Sequence, residues 1–154
     1  MNLHFEPITS KNRKQTEALS LFPEQVSFIE SVAECLKEAE VAPEWKTVGI
    51  YGDCTLIGFA MYGYFHEPLP YGEVWLDRML IDKKFQRKGY GKAAVLALLK
   101  KLSIEYDCNK IYLSVYDVNK PAICLYKQIG FYFNGEFDTK GERIMVYEPY
   151  GVQT

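Results

Sequence analysis

The chain has 154 residues, enough for one domain that buries roughly two-thirds of its unfolded surface. Hydrophobic residues make up 48% and charged residues 25%, a globular balance that excludes a disordered chain. Eighteen Lys and Arg against twenty Asp and Glu give a formal charge of −2, so no overall basic field exists and nucleic acid is excluded as a general partner. Leu3 to Ile8 reads as a short opening strand ended by Pro7. Thr9 and Ser10 offer caps for a first helix through Leu19. After Pro23, the spacing of Val26, Ile29, Ala33 and Leu36 predicts a second helix to about Glu40. Lys46 to Tyr51 and Leu56 to Tyr64 are the strands of a hairpin that turns at Gly52-Asp53. Phe65 to Tyr71, with Pro68 and Pro70, is a loop, and Gly72 to Ile81 is a long strand. Val95, Leu98, Leu99, Leu102 and Tyr106 mark a helix from Gly91 to Tyr106. Ile111 to Tyr116 alternates branched and aromatic residues as a buried strand does. Asn119 and Pro121 open a further helix that Gly130 stops. Phe131 to Phe137 and Arg143 to Tyr147 make a last hairpin around Gly141. Antiparallel hairpins thus flank a central βαβ unit, which predicts an α/β fold with a mixed sheet in one domain spanning residues 1–154.

The longest unbroken apolar run, Ala93 to Leu99, is seven residues, so no membrane span is expected. No basic segment followed by an apolar one opens the chain, and no leader is expected. Cys35, Cys54, Cys108 and Cys124 contain no Cys-x-x-Cys pair, and His4 and His66 are scattered. A reduced, cytoplasmic chain without a metal site accounts for both.

The informative stretch follows the long strand. Gln86-Arg87-Lys88-Gly89-Tyr90-Gly91-Lys92 leads into a helix, with Lys83 and Lys84 just before it. Two glycines and several bases at a helix N-terminus let backbone N–H groups converge on a phosphate. An ordinary strand-to-helix turn with solvated lysines is the competing reading. A P-loop is excluded, because Lys92 is followed by Ala93 and no first glycine has the right spacing. Gly89-x-Gly91-x-x-Ala94 fits a dinucleotide fingerprint better, but charged residues separate it from the strand and too little alternating β/α sequence follows.

Gln86-x-x-Gly89-x-Gly91 resembles the [Gln/Arg]-x-x-Gly-x-[Gly/Ala] acetyl-CoA motif of the GNAT superfamily of N-acetyltransferases. Asn119-Lys120-Pro121-Ala122, then Tyr126 and Gly130-Phe131, resembles that family's second motif, Asn-x-x-Ala-x-x-x-Tyr-x-x-x-Gly-Phe. One departure is the absence of the proline common after the fourth strand, where this chain has Asp82-Lys83-Lys84. Ser27 to Ser31, Gly58 to Gly63, Val74 to Arg78 and Phe133 to Glu136 are similar to bacterial spermine/spermidine N-acetyltransferases. The resemblance implies a GNAT fold: a mostly antiparallel central sheet, a parallel pair formed by the fourth and fifth strands, and helices on both faces. It also implies acetyl-CoA as cosubstrate and a small amine as acceptor, without a metal. The family often pairs as homodimers, for which the aromatic-rich C-terminal hairpin could serve.

Acetyl transfer to an amine needs a neutral nucleophile, stabilisation of the oxyanion and a proton for the departing thiolate. Strict strand alternation puts Glu73, Trp75, Asp77, Met79 and Ile81 on one face. Asp77 is the candidate base or cation anchor, with a pairing to a neighbouring arginine as the alternative; Glu73 is the substitute. The resemblance assigns oxyanion donors to the backbone of Met79, Leu80 and Ile81. It makes Tyr126 the thiolate's proton donor, against the alternative of a core tyrosine, and Asn119, which also suits a helix cap, a contact to the pantetheine arm. Cys124 reads as a packing residue. Glu30, Glu34 and Glu38 recur every four residues on the second helix, and Glu30 is the expected acceptor contact among them. Glu67, Glu136, Asp138 and Glu142 are further acidic residues. Two other readings remain: acetylation of another amine (an aminoglycoside, an amino acid or a protein N-terminus), or a silent acetyl-CoA sensor. Retention of Asp77 and Tyr126 with the intact turn argues against the sensor.

Overall fold

The computed structural model describes residues 2–66 and 72–149. Most of the expected 65–71 loop, with Glu67, lies outside the described residues. The strands are β1 (Leu3–Pro7), β2 (Trp45–Gly52), β3 (Thr55–Phe65), β4 (Glu73–Ile81), β5 (Ile111–Val115), β6 (Tyr132–Phe137) and β7 (Arg143–Tyr147), and the helices are α1 (Arg13–Glu17), α2 (Val32–Val41), α3 (Tyr90–Tyr106) and α4 (Lys120–Ile129). The strands form one sheet in the order β1-β2-β3-β4-β5-β7-β6. Pairing is antiparallel except between β4 and β5, which run parallel. The α3 crossover makes that possible, since parallel neighbours need a long connection.

Each face of the sheet carries a core. On one, Val95, Leu98 and Leu102 of α3 and Ile123 of α4 pack on Ile50, Val74, Ile111 and Met145. On the other, Val32, Cys35 and Leu36 of α2 pack on Phe59, Met61 and Leu80. Each fully buried aliphatic side chain contributes roughly 1.5–3 kcal/mol, so the α3 stripe alone anchors the crossover. The four cysteines are free; Cys124 is exposed, which corrects its expected packing role. Among the described residues, no helix is long and apolar enough to cross a membrane.

Two helix starts differ from expectation. Thr9 begins a turn: its carbonyl accepts the N–H groups of Asn12 and Arg13, and the helix proper starts at Arg13. Pro23–Phe28 is a 3-10 turn with Val26 largely exposed, and α2 starts only at Val32. Ser31 and Glu34 close a reciprocal capping box there, at 3.2 and 3.1 Å.

A third difference shapes the site. The β3–β4 register runs Met61↔Arg78 and then Tyr62↔Leu76, so Asp77 is the extra residue of a bulge. A bulge shifts the alternation by one residue. Val74, Leu76, Met79 and Ile81 therefore face the α3 core, while Leu80 faces the α2 core with Arg78 against Cys35 and Met61. The expected single face of Glu73, Trp75, Asp77, Met79 and Ile81 is broken at Asp77.

Candidate active site

β4 and β5 pair only at Val74↔Ile111 and Trp75↔Tyr112. Past Trp75 the bulged β4 bends, and bulges do bend their strands, so the two strands part. A cavity of about 820 Å³ occupies the gap, between Met79, Leu80 and Ile81 on one side and Ser114, Val115 and Tyr116 on the other. That lies within the size range of small-molecule sites. Of the sequence-predicted residues, Glu30, Glu73, Asp77, Met79, Leu80, Ile81, Gln86, Arg87, Gly91, Asn119 and Tyr126 line it. Lys88, Gly89, Tyr90 and Lys92 do not; Tyr90 turns its ring inward onto Phe85, with centroids 6.2 Å apart.

At one end lies the turn into α3. Asp82, buried at 3% exposure, holds it by accepting the N–H groups of Ser20 and Lys84 at 3.0 and 2.9 Å. Gln86 donates to the Ile81 carbonyl at 2.9 Å and exchanges amide hydrogen bonds with Gln25, both 2.9 Å. It braces the turn with its side chain. Arg87 and Gly89 have φ of +61° and +87°, a backbone path that gathers N–H groups and that favours glycine. Gly89 stands at the α3 N-cap, where no side chain caps the helix. The first N–H groups of this 17-residue helix therefore point outward without intrahelical partners. A side chain at 91 would meet only Leu125, 4.0 Å from its Cβ, so protein packing does not demand glycine there. The missing side chain instead keeps the cavity wall open. These features fit a phosphate-bearing cofactor arm.

At the other end, carboxylates surround Arg78. Its Nε lies 3.0 Å from both Asp77 Oδ2 and Glu30 Oε2, and its Nη1 lies 2.7 Å from Glu38 Oε2. The bulge puts Asp77 and Arg78 on one side, so the expected alternative pairing for Asp77 is realised. Burial pushes the Asp77 carboxyl up from its ordinary value, against the pull of Arg78. Glu30 also takes Lys140 Nζ at 2.7 Å. Burial raises the Glu30 carboxyl, but Lys140 and Arg78 together hold it below its ordinary value. Of the expected acidic stripe, Glu30 precedes the helix, Glu34 caps it and only Glu38 projects from it to Arg78. Glu73 accepts from Trp75 Nε1 at 3.1 Å. Glu136 bonds Asn134 and lies off the cavity, whereas Asp138 and Glu142 line it.

Between the two ends stands Tyr126, its ring edge-on to Phe131 at 5.5 Å. Burial pushes its hydroxyl up to about 12, and no described residue takes its hydrogen bond. Asn119 caps α4 as expected, accepting the Ala122 N–H at 3.4 Å. Among the charged cavity residues, sequence reasoning gave Lys140 no role, Arg78 only that of a partner for Asp77, and Glu142 only a place among the further acidic residues. Glu142 accepts the Ser114 hydroxyl at 2.8 Å. Burial pushes its carboxyl up to about 7; the Ser114 hydroxyl opposes this and Asp138 reinforces it. Among the described residues, no group of three or more His, Cys, Asp and Glu is arranged to hold a metal.

Residues 14–131 match the family described as "Acetyltransferase (GNAT) family". Over 151 residues the chain is 44% identical to a protein of Bacillus subtilis subsp. natto (strain BEST195) named "Probable spermine N(1)-acetyltransferase", covering 96% of this chain and 99% of that one. It is 43% identical, with the same coverage, to the spermine/spermidine N(1)-acetyltransferase of Bacillus subtilis (strain 168). The spermidine N-acetyltransferase of Vibrio cholerae, solved in complex with CoA and spermine, superposes with a TM-score of 0.69 at 17% identity over 95% of both chains, a likeness of fold. A central sheet opened between its parallel strands, a glycine turn at one end of the opening and a match across most of the sequence agree: the chain belongs to the Acetyltransferase (GNAT) family.

Proposed function

We propose that this chain transfers the acetyl group of acetyl-CoA directly to a primary amine of spermine or spermidine, with both bound in one cavity. One observation carries the reading: a single gap joins an uncapped, glycine-flanked helix N-terminus to a nest of carboxylates. A polyamine keeps several ammonium groups at neutral pH, since such amines have pKa values near that of lysine, about 10. Carboxylates are what such an acceptor needs. The names of the two Bacillus relatives support the same acceptor.

Acetyl-CoA supplies the activated thioester. The N–H groups at the start of α3, with Arg87 and Lys88 beside them, hold the cofactor's pyrophosphate. Gln86 keeps that turn in place, and Asn119 borders the path of the pantetheine arm. The backbone N–H groups of Met79 and Ile81 face charge developing at the acyl oxygen, where fixed donors are most effective; strand alternation turns that of Leu80 towards β3, as it does that of Asp82, which donates to the Ile57 carbonyl. Asp77 anchors the acceptor's ammonium and takes a proton from it, freeing the lone pair before nitrogen attacks; its raised carboxyl suits that task better than an ordinary one would. Glu30 and Glu73 hold further positive charge. Tyr126, protonated throughout the neutral range, gives its proton to sulfur as the carbon–sulfur bond breaks.

Release of the coenzyme A thiol, followed with spermine, spermidine, an aminoglycoside and free amino acids, tests the reading. Turnover of both polyamines is expected. Turnover of another amine with neither polyamine would replace the acceptor, and no release with any amine would remove the transferase reading of this cavity.

A further inference from the structure

Lys140 sits in the tight connection between β6 and β7. There the Asp138 carboxylate accepts the N–H groups of Lys140 and Glu142, at 2.9 and 2.8 Å. From this tip the side chain reaches across the cavity mouth to Glu30, 110 positions earlier in the chain, with Nζ 2.7 Å from Oε1. Both residues line the cavity. The other oxygen of Glu30 is on Arg78, at 3.0 Å.

The two cations on Glu30 differ in kind. The Arg78 side chain is 7% exposed and touches three carboxylates, so it is part of the frame. The Lys140 side chain is 54% exposed and, among the described residues, has one ion pair, with Glu30. Such a half-exposed pair is weak and readily exchanged. Lysine also ends in a butylammonium group on a flexible stem. The aminobutyl end of spermidine is the same chemical group, and the aminopropyl ends of spermine carry the same primary ammonium on a stem one methylene shorter. Whatever carboxylate geometry holds one holds the other.

The geometry points to Lys140 as a resident competitor of the acceptor: its ammonium occupies the Glu30 position that a terminal ammonium of a polyamine takes, and the polyamine must displace it to bind. Lys140 thereby sets the affinity for polycationic acceptors. A singly charged amine spends its one ammonium at the reacting end and cannot perform the exchange. This rests on the polyamine reading of the same cavity.

Calorimetric titration of spermine into the protein saturated with coenzyme A tests the exchange without turnover. Lys140→Met keeps the stem and removes the charge; it should bind spermine roughly 2–5-fold more tightly than the parent, the scale of one exposed ion pair. Lys140→Arg keeps the charge and grips the carboxylate with a fork, so it should bind no more tightly than the parent. Glu30→Gln should bind more weakly. Equal or weaker binding by Lys140→Met, or binding by none of the proteins, overturns the exchange. Coenzyme A release by the parent judges the acceptor separately. If spermine is acetylated and Lys140→Met binds it no better, the exchange alone fails. If Lys140→Met binds it better and the parent does not acetylate it, the acceptor reading alone fails.

Discussion

Tyr126 keeps its ring on Phe131 and its hydroxyl free of described partners, so its two roles separate cleanly under substitution. Tyr126→Phe retains the packing and removes the proton. Loss of a general acid costs about 10²–10⁴-fold in rate. We expect kcat to fall by that order in steady-state assays with acetyl-CoA binding nearly intact; a kcat within a few-fold of the parent would make Tyr126 a core residue. Glu142 gives a prediction in pH. Its folded carboxyl is raised to about 7 by burial, with Ser114 opposing and Asp138 reinforcing, so it becomes an anion only as pH rises through that value. The acceptor's amines stay charged over the same range, with pKa values near about 10. KM for spermidine should therefore fall as pH rises from about 6 to 8, and Glu142→Gln should flatten that fall. A profile of the same shape in both proteins would place Glu142 outside the acceptor's reach. Tyr126, Gly89 and Gly91 were legible because each sits inside a short motif. Lys140 was not, and of the Arg78 pairings only that with adjacent Asp77 was, since Glu38 lies 40 positions from Arg78 and Glu30 lies 110 from Lys140, and no local spacing records a contact of that kind.

Most of the elements were readable from periodicity, and those misplaced share one cause: a local polar signal outranked the hydrophobic one. Val26, Ile29, Ala33 and Leu36 have helical spacing, yet α2 waits for the Ser31–Glu34 box, which satisfies two backbone donors that Val26 could not. Thr9 has a capping side chain but spends it on a turn, accepting the Lys11 N–H at 3.2 Å. In β4 the alternation is regular in sequence and broken in space. The bulge depends on how β3 registers against β4, and that is a property of two strands together. The same bulge sets Asp77 beside Arg78 and bends β4 off β5, so a single inserted residue makes both the charge cluster and the room beside it.

For the molecule as a whole, the two hairpins were legible from sequence and the parallel β4–β5 pair and two-sided packing from the family resemblance, while the place of β7 between β5 and β6 was not. Nor was the cavity: it lies where pairing stops, and sequence signals pairing better than its end. The sheet is two leaves, β1 to β4 and β5 to β7, joined by two rungs of parallel ladder and by α3. A ligand in the gap touches both leaves, so it should stabilise the whole fold. At a hundred times its Kd, a ligand adds about 2.7 kcal/mol. At about 2–4 °C per kcal/mol for a domain of this size, acetyl-CoA should raise Tm by roughly 5–10 °C in scanning calorimetry. A Tm that does not move at saturation would place acetyl-CoA elsewhere. The short ladder has one more consequence. A seven-stranded open sheet ordinarily has two rims, and this one has four, because β4 beyond Trp75 and β5 beyond Tyr112 each turn a rim inward. Outer rims invite other chains, but these inner rims are walled by α3 and α4 and admit only something slender. A flexible arm carrying amides can add there as an extra strand, reading the backbone of both leaves at once. Recognition of that kind would rest on main chain, which substitution of side chains along the gap leaves in place.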